Sequence, residues 1–336
     1  MYLQMGERAM GVDVKVKLPK PSKKTYKVSA IDIDGLRDAL DSKDAWGTYN
    51  PAPVFVPKFA KDKSVSQITV ACKPVATQPS WAEYGKTTKA RQAEWDRMIK
   101  ALEKYLTALH NLALEAAAKF AAAMQAREEP LQKDELKTLF KEAKEAMLAA
   151  VEGYASKTSG GHTVGVKLDD VPPDPAVFKK TVPKPKDVSY SVSGKTIAAV
   201  FKALKKRSFW GRYRSNASYS ASFQLDGHVK EFKLTSKPVI TMPKWKEYSK
   251  GNKGQKGSWD SMWKKLYAHE NNHHKIFGEC VAELEAGLTS ENVLKADLKS
   301  YWESETKEWQ KKQDAYDSKT DHGVKEGVEL DSSHDP

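Results

Sequence analysis

"KPVITMPKWKEY", residues 237–248, repeats "KPVATQPSWAEY", residues 73–84, at eight of twelve positions with an offset of 164 residues. The same offset continues without a gap over about a hundred residues. Further aligned strings are "WGTY" at 46–49 with "WGRY" at 210–213, "WDRM" at 95–98 with "WDSM" at 259–262 and, at an offset of 162, "YASKTSGG" at 154–161 with "YDSKTDHG" at 316–323. Self-similarity at a fixed spacing indicates repeated structural units. The chain therefore consists of two copies of one unit.

The two copies set the predicted domain boundaries. The segment between them contains "VPPDP" at 171–175, and prolines of this kind favour extended backbone, which suits a linker. The predicted organisation is an N-terminal extension at 1–18, a first copy at 19–165, a linker at 166–182, a second copy at 183–330 and a tail at 331–336.

Each copy predicts the same order of secondary structure. Short β-type runs such as "TYKVS", "APVFVPKF" and "SQITVA" surround a brief helical stretch, "IDGLRDAL". A long helix follows, because from Trp95 to Leu112 and from Trp259 to Ile276 apolar residues recur at three- and four-residue spacing. We expect an α+β protein in which each copy has a small, mostly antiparallel sheet, this long helix and a further C-terminal helix.

The second long helix carries "HENNHHKIF", residues 269–277, which contains the HExxH arrangement. On a helix, His269 and His273 lie one turn apart on one face, so both imidazoles can reach one zinc ion at about 2.0 to 2.1 Å. Glu270 lies beside them, where a carboxylate can take a proton from water. The alternative is a charged helix face with two ordinary histidines.

The first copy has lost the chemical positions together. It keeps Tyr105, Leu106 and Leu109 where the second copy has the motif's two histidines and its glutamate. In the terminal string, Ala155 and Gly160 replace Asp317 and His322.

A correlated loss at two stretches indicates that they meet at one site, which would supply the third ligand of a catalytic zinc. We favour His322 for that ligand, with Asp317 accepting the second ring N–H of a ligand histidine or serving as the alternative ligand.

Three neighbours are weaker candidates. Glu279 could be an acidic third ligand, but it is matched by Glu115 in the copy without ligands, which favours a structural role. Tyr316 and Tyr301 could donate a hydrogen bond to an oxyanion or contact substrate; Tyr316 is matched by Tyr154, which favours packing.

The strings "VSYSVSGKT", "ITMPKW", "HENNHH" and "YDSKTDHG" together resemble a bacterial family of candidate zinc-dependent proteases known as domain of unknown function 922. The resemblance covers about residues 183–325. It implies a zincin-like fold, the two motif histidines as ligands, Glu270 as general base and His322 as third ligand. The chain departs from the family pattern at Asn272, where a small residue is usual. The first copy resembles a catalytically empty relative.

We therefore predict a zinc metallopeptidase in which the second copy hydrolyses a peptide or amide bond with Glu-assisted activation of water by Zn²⁺. Peptidoglycan is the alternative substrate, because the net charge of +12 suits an anionic polymer. The alternative from another class is a non-catalytic binding, scaffold or effector protein whose histidines hold a structural metal. Nucleic acid is an unexpected partner, since no recognised binding motif is present.

The chain shows no sign of membrane insertion or of Sec export. It contains no run of about 18 apolar residues, and its N-terminus lacks the apolar stretch of a secretory signal. We expect a protein that remains in the cytoplasm or leaves it by another route. The pattern does not predict the oligomeric state.

Overall fold

The computed structural model describes residues 12–336, which divide between Pro172 and Pro173 into two compact units. Both units contain the same elements in the same order, so the duplication and the α+β class are confirmed. In the described residues, no helix is long and apolar enough to cross a membrane.

In its described residues, the first unit contains six strands and three α-helices: β1 (Asp13–Lys17), β2 (Ser22–Val28), α1 (Ile33–Asp41), β3 (Thr48–Asn50), β4 (Pro53–Phe59), β5 (Val65–Cys72), β6 (Val75–Trp81), α2 (Lys89–Gln125) and α3 (Leu136–Lys157). The second unit repeats them: β7 (Val177–Thr181), β8 (Lys186–Val192), α4 (Ile197–Lys205), β9 (Arg212–Arg214), β10 (Ala217–Phe223), β11 (Val229–Ser236), β12 (Val239–Trp245), α5 (Lys253–Ser290) and α6 (Leu298–Thr320).

The sheets differ from the expected mostly antiparallel sheet. Each unit has two three-stranded sheets, ordered β1-β5-β4 and β2-β6-β3 in the first unit and β7-β11-β10 and β8-β12-β9 in the second. In every sheet the central strand pairs in parallel with one neighbour and antiparallel with the other, so the sheets are mixed. Residue alternation alone does not fix strand direction, which is why the sequence did not predict the parallel pairs.

The long helices α2 and α5 begin at capped residues and run for 37 and 38 residues. At the start of α5, the side chains of Asn252 and Gln255 form a capping box that satisfies free backbone N–H groups. Thr88 caps α2 through its side chain. At 1.5 Å per residue each helix is roughly 55 Å long.

The core differs between the units at the motif positions. In the first unit Tyr105, Leu106 and Leu109 belong to one continuous hydrophobic cluster. In the second unit the buried apolar residues form two clusters, one around the first half of α5 and one around its second half and α6. The buried polar residues His269 and His273 lie on α5 between the two clusters. The motif therefore interrupts a core that is otherwise shared.

Several predicted boundaries move in the structure. Residues 1–11 of the predicted extension lie outside the described residues, but residues 13–17 form β1, which pairs with β5. The predicted linker is divided, because Val166 and Leu168 are buried in the first core while residues 177–181 form β7 of the second unit. The sequence placed these segments in an extension and a linker because the copies were aligned on identical segments, and neither region contains one.

The predicted tail is also part of the second unit. The carboxylate of Asp335 accepts hydrogen bonds from the backbone N–H of Ile197 at 2.7 Å, from that of Ala198 at 2.8 Å and from Gln255 Nε2 at 2.8 Å. It therefore satisfies free N–H groups in the first turn of α4 and ties that helix to the start of α5.

We predict that Asp335→Ala lowers the free energy of unfolding of the second unit by about 1 to 2 kcal/mol, the usual cost of losing a helix cap. Urea denaturation measures the change. Glu329→Ala is the matched control, since Glu329 is an exposed acid of the same segment and its side chain makes no described hydrogen bond. Equal unfolding midpoints for the two variants would contradict the role of Asp335.

Candidate metal centre

Two helices bring three ligand atoms together in the second unit. His269 and His273 lie one turn apart on α5, and Asp317 lies in the last turns of α6. Asp317 Oδ1 is 3.1 Å from His269 Nε2 and 3.0 Å from His273 Nε2, and the two Nε2 atoms are 3.2 Å apart. In the described part of the chain, this is the group of His, Cys, Asp and Glu side chains whose spacing suits a metal ion.

The other ring nitrogen of each histidine has its own partner. His269 Nδ1 is 2.8 Å from Glu326 Oε2. His273 Nδ1 contacts Gln313 Oε1, while Gln313 Nε2 donates to the backbone carbonyl of His273 at 3.1 Å. This second bond fixes the orientation of the Gln313 amide, so its oxygen faces the ring. Both Nδ1 atoms therefore donate, and each Nε2 is the unprotonated atom of the neutral imidazole.

Three lone pairs consequently point at one another. The two Nε2 atoms and Asp317 Oδ1 are all acceptors, and acceptors in contact repel unless a cation lies between them. A proton on one Nε2 would also bridge two of the acceptors, but it would put a positive charge on a buried ring, with His269 4% and His273 7% exposed. A metal cation resolves the repulsion without that cost.

The spacing also fits the ion. Tetrahedral zinc with bonds of about 2.0 to 2.1 Å separates its ligand atoms by about 3.3 Å. The three observed separations, 3.0 to 3.2 Å, lie close to that value. Two imidazole nitrogens and one carboxylate oxygen are ordinary zinc ligands. The residues present therefore fit a zinc ion.

Glu270 lies in the same cleft as the three ligands. The cleft has a volume of about 1100 Å³, and Glu270, which is 4% exposed, forms part of its wall. Burial, and next the negative charge of Asp317, raise the pKa of Glu270 to about 8, although a hydrogen bond from the backbone N–H of Tyr213 opposes the rise. Gly211 leaves the space for this carboxyl group, because a Cβ there would lie 2.9 Å from Glu270 Cγ.

His322 is not part of the ligand group. The chain leaves α6 through residues with left-handed backbone angles, at φ 50° for Asp321, 49° for His322 and 89° for Gly323. His322 Nδ1 lies 3.9 Å from Asp317 Oδ1, and its side chain is 79% exposed. The structure thus brings Asp317 and not His322 to the two histidines, because Asp317 faces them from the last turns of α6 and His322 lies in the turn beyond, where it also lines the cleft.

The same turn carries a residue that was not predicted. After Gly323 the chain forms a short 3₁₀ helix, Val324–Glu326, which returns the carboxylate of Glu326 to His269.

Tyr316 supports His269 and Glu326. Its ring stacks on that of His269 with centroids 4.9 Å apart, and its hydroxyl donates to Glu326 Oε1 at 2.7 Å. Asn272, the residue that departs from the family pattern, donates to the same hydroxyl at 2.9 Å. The remaining candidates, Tyr301 and Glu279, are absent from the described cleft wall. Glu279 is exposed, and Tyr301 packs against the hydrophobic cluster around the second half of α5 and α6.

The first unit shows which contacts belong to the scaffold. Tyr154, the equivalent of Tyr316, stacks on Tyr105 with centroids 6.0 Å apart. A hydrogen bond between a tyrosine and a histidine also recurs, at 2.9 Å for Tyr49 with His110 and at 3.0 Å for Tyr213 with His274. The stacking and the Tyr–His pair need no metal, so they are structural.

A family model matches the chain twice, over residues 23–161 and 188–323, and it describes a bacterial protein of unknown function, domain of unknown function 922. The chain belongs to this family. It carries two family domains in tandem. No curated protein and no solved structure matches it.

The comparison of the two family domains also marks residues that motif reading missed. In the alignment at an offset of 162, Gln313 and Glu326 correspond to Val151 and Val164 of the first domain. They were lost together with the ligands they orient, so the correlated loss that revealed Asp317 would have revealed them. Loss of such orienting residues typically costs about 10- to 100-fold in metal affinity or activity.

We predict that Asp317→Ala weakens zinc binding by more than this 10- to 100-fold range, since it removes a direct ligand, whereas His322→Ala weakens it less than about tenfold. Zinc competition against a calibrated chelator measures both, with circular dichroism to confirm folding. An empty site in His322→Ala with zinc retained in Asp317→Ala would restore the sequence-based order.

We predict that Gly211→Ala retains zinc and displaces the Glu270 carboxyl, because its Cβ would lie 2.9 Å from Glu270 Cγ. In a protein that uses Glu270 as its general base, kcat should then fall by about 10- to 100-fold, since a shift near 1 Å in a catalytic group can cost about a hundredfold. Gly47→Ala is the matched control at the equivalent position of the first domain. There the Cβ would meet Leu102 Cδ1 at 2.6 Å, a contact that involves no carboxyl group.

The control variant should lose stability through overpacking and keep its rate per folded molecule. Thermal denaturation beside steady-state kinetics separates the two effects. An equal loss of rate in both variants would show that Gly211 acts through stability alone.

Proposed function

We propose that the second domain is a zinc-dependent metallopeptidase that hydrolyses a peptide or amide bond. The observation that carries the proposal is the convergence of three acceptor atoms, from His269, His273 and Asp317, in a cleft whose wall also contains the buried carboxyl of Glu270. A zincin-like helix motif supports the same conclusion, because HExxH supplies both ligands and base from one helical turn.

The donor set supports a catalytic rather than a structural metal. Structural zinc sites are closed by four protein ligands, whereas catalytic sites have three and leave one position for water or substrate. In the described residues the group has three members, and all three line a cleft that also reaches the solvent-exposed Arg212 and Arg214. A substrate can therefore approach the ligands from the cleft.

A bound zinc ion would polarise the scissile carbonyl and make water more acidic. Glu270 is the residue that would take the proton from water and deliver it to the leaving amine. Its pKa of about 8 applies to the protein residues alone, and a nearby divalent cation lowers the pKa of a carboxyl group. Glu270 would then be ionised near neutral pH, as a general base must be.

The other residues act by holding these groups. Glu326 and Gln313 keep both Nε2 lone pairs directed at the site. The backbone N–H of Tyr213 orients the Glu270 carboxylate. Such preorganisation lowers the cost of reaching the reactive geometry.

A set of two histidines and one carboxylate also binds Fe(II) in oxygenases. Zinc is the better proposal, because a buried carboxyl beside the ligands serves proton transfer in hydrolysis and has no corresponding role in that oxygen chemistry. The first domain would be non-catalytic, since tyrosine and leucine occupy its motif positions and are buried in its core.

We predict that Glu270→Gln retains zinc and loses at least about a hundredfold in hydrolysis rate, the usual contribution of a general base. The rate is measured on a peptide library and on peptidoglycan with zinc-loaded protein. The control is Glu279→Gln, the same carboxyl-to-amide change on an exposed side chain of α5 that is absent from the cleft wall.

Metal analysis of the purified protein should give about one zinc per chain, since one domain retains the ligands. Near-normal turnover in Glu270→Gln would remove Glu270 from the mechanism. Two equivalents of tightly held zinc, or a preference for iron, would contradict the proposed site.

A further inference from the structure

The cleft of the proposed peptidase carries four basic side chains that the proposed chemistry does not use. They lie at the end of α4, in the following loop and on β9, and all four are exposed: Lys205, Arg207, Arg212 and Arg214. Within residues 12–336, none of them forms an ion pair with Asp or Glu, so the carboxylates of Glu270 and Asp317 do not neutralise them.

Three of these cations lie over aromatic rings, and the Lys205 ammonium is 4.6 Å from the centroid of the Phe201 ring. The Arg207 guanidinium lies 4.0 Å from the centroid of the Tyr190 ring, and that of Arg212 lies 5.3 Å from the Phe209 ring. A guanidinium over a ring face is attracted by the ring's quadrupole. These side chains are therefore ordered before any ligand arrives, which lowers the entropy lost on binding.

The first domain lacks this feature. At the offset of 164, its residues at the four positions are one acid, one base and two neutral side chains: Asp41, Lys43, Thr48 and Asn50. Phe209 is replaced by Ala45. The four cations are thus found in the domain that has the metal ligands and are reduced to one in the domain that lost them.

The geometry of β9 indicates the form of the ligand. β9 is an edge strand that pairs only with β12 in its sheet, and Arg212 and Arg214 are both exposed on it on either side of Tyr213. Residues two apart on a strand lie about 6.6 to 6.8 Å apart and point to the same side. An extended peptide has the same spacing between its alternate side chains.

We propose that the cleft selects an extended acidic peptide whose Asp or Glu side chains, at alternate positions, pair with Arg212 and Arg214. The proposal names the substrate class of the proposed peptidase and in that sense rests on it. Arginine suits this role, because its fork of N–H donors matches a carboxylate.

The structure favours a peptide over a single-stranded nucleic acid. Sequence-independent binding of single strands relies on aromatic faces that are open for base stacking. Here Tyr190 and Phe209 are covered by Arg207 and Arg212. Trp210 and Trp302 also line the cleft, and they are partly buried against Phe201 and Tyr219.

The test measures binding without requiring hydrolysis. The full chain carrying Glu270→Gln is titrated into three fluorescein-labelled peptides of equal length that have Glu, Gln or Lys at alternate positions, and anisotropy is recorded at low and high salt. We expect the Glu peptide to bind at least about tenfold tighter than the Gln peptide, with the difference shrinking at high salt because exposed charges are screened.

The decisive variant is Arg212→Gln/Arg214→Gln in the same background. It should weaken binding of the Glu peptide about tenfold, in the upper range for two exposed ion pairs, and leave the Gln peptide unchanged. The matched control is Lys184→Gln/Lys186→Gln, which removes the same charge from two exposed lysines that also lie two residues apart and are absent from the cleft wall. Its binding of the Glu peptide should change less than twofold.

Equal losses in the two double variants would overturn the proposal, because binding would then follow net charge. Tighter binding of a single-stranded oligonucleotide than of the Glu peptide would overturn it as well. Wild-type hydrolysis without preference for acidic peptides would overturn the selectivity while the peptidase proposal stands. Selective binding of the Glu peptide without any hydrolysis would support the selectivity and refute the peptidase.

Discussion

The site of the second domain depends on one arrangement, the convergence of three acceptor atoms, two of which are oriented by hydrogen bonds to the opposite ring nitrogens. Because Glu326 and Gln313 occupy the Nδ1 atoms, the Nε2 lone pairs of His269 and His273 have no direction available except toward Asp317. This arrangement requires α5 and α6 to pack so that Gln313 and Asp317 lie opposite the two histidines. It also requires the turn after α6 to bring Glu326 back to α5. Both conditions are met by elements that the two domains share.

The first domain separates what the fold needs from what the site needs. It keeps the tyrosine-histidine hydrogen bond, the stacked tyrosine and the glycine turn, and it fills the motif positions with side chains of a continuous core. In the second domain, the polar groups divide that core into two clusters. Burying polar groups in this way costs stability unless each is satisfied. A cation is the partner that would satisfy the three acceptors, so folding and metal binding are thermodynamically linked.

The sequence predicted the features that depend on spacing and missed those that depend on backbone direction. The positions of His269, Glu270 and His273 on one helix follow from helix periodicity. The duplication follows from the identical sequence segments, and the α+β class follows from the order of the predicted elements. The parallel strand pairs did not follow, because side-chain alternation is the same in both directions. His322 was preferred to Asp317 as a chemically better ligand, but its left-handed backbone in the turn was not readable from its residue type. Replacement by valine in the first domain marks Gln313 and Glu326, so that part of the site was within reach.

The four exposed cations of the cleft and its acidic centre, Glu270 and Asp317, together favour metal binding before peptide binding. Without a cation, the Asp317 carboxylate in the cleft wall repels an approaching acidic peptide. A divalent cation bound by the centre would cancel the charge of Asp317 and that of Glu270, which ionises beside it, leaving the field of Lys205, Arg207, Arg212 and Arg214 to act on the peptide alone. Metal and acidic ligand would therefore favour each other's binding, and because such coupling is reciprocal, the peptide would in turn stabilise the metal. The cleft would thus bind an acidic peptide most strongly when the metal needed for the proposed hydrolysis is present.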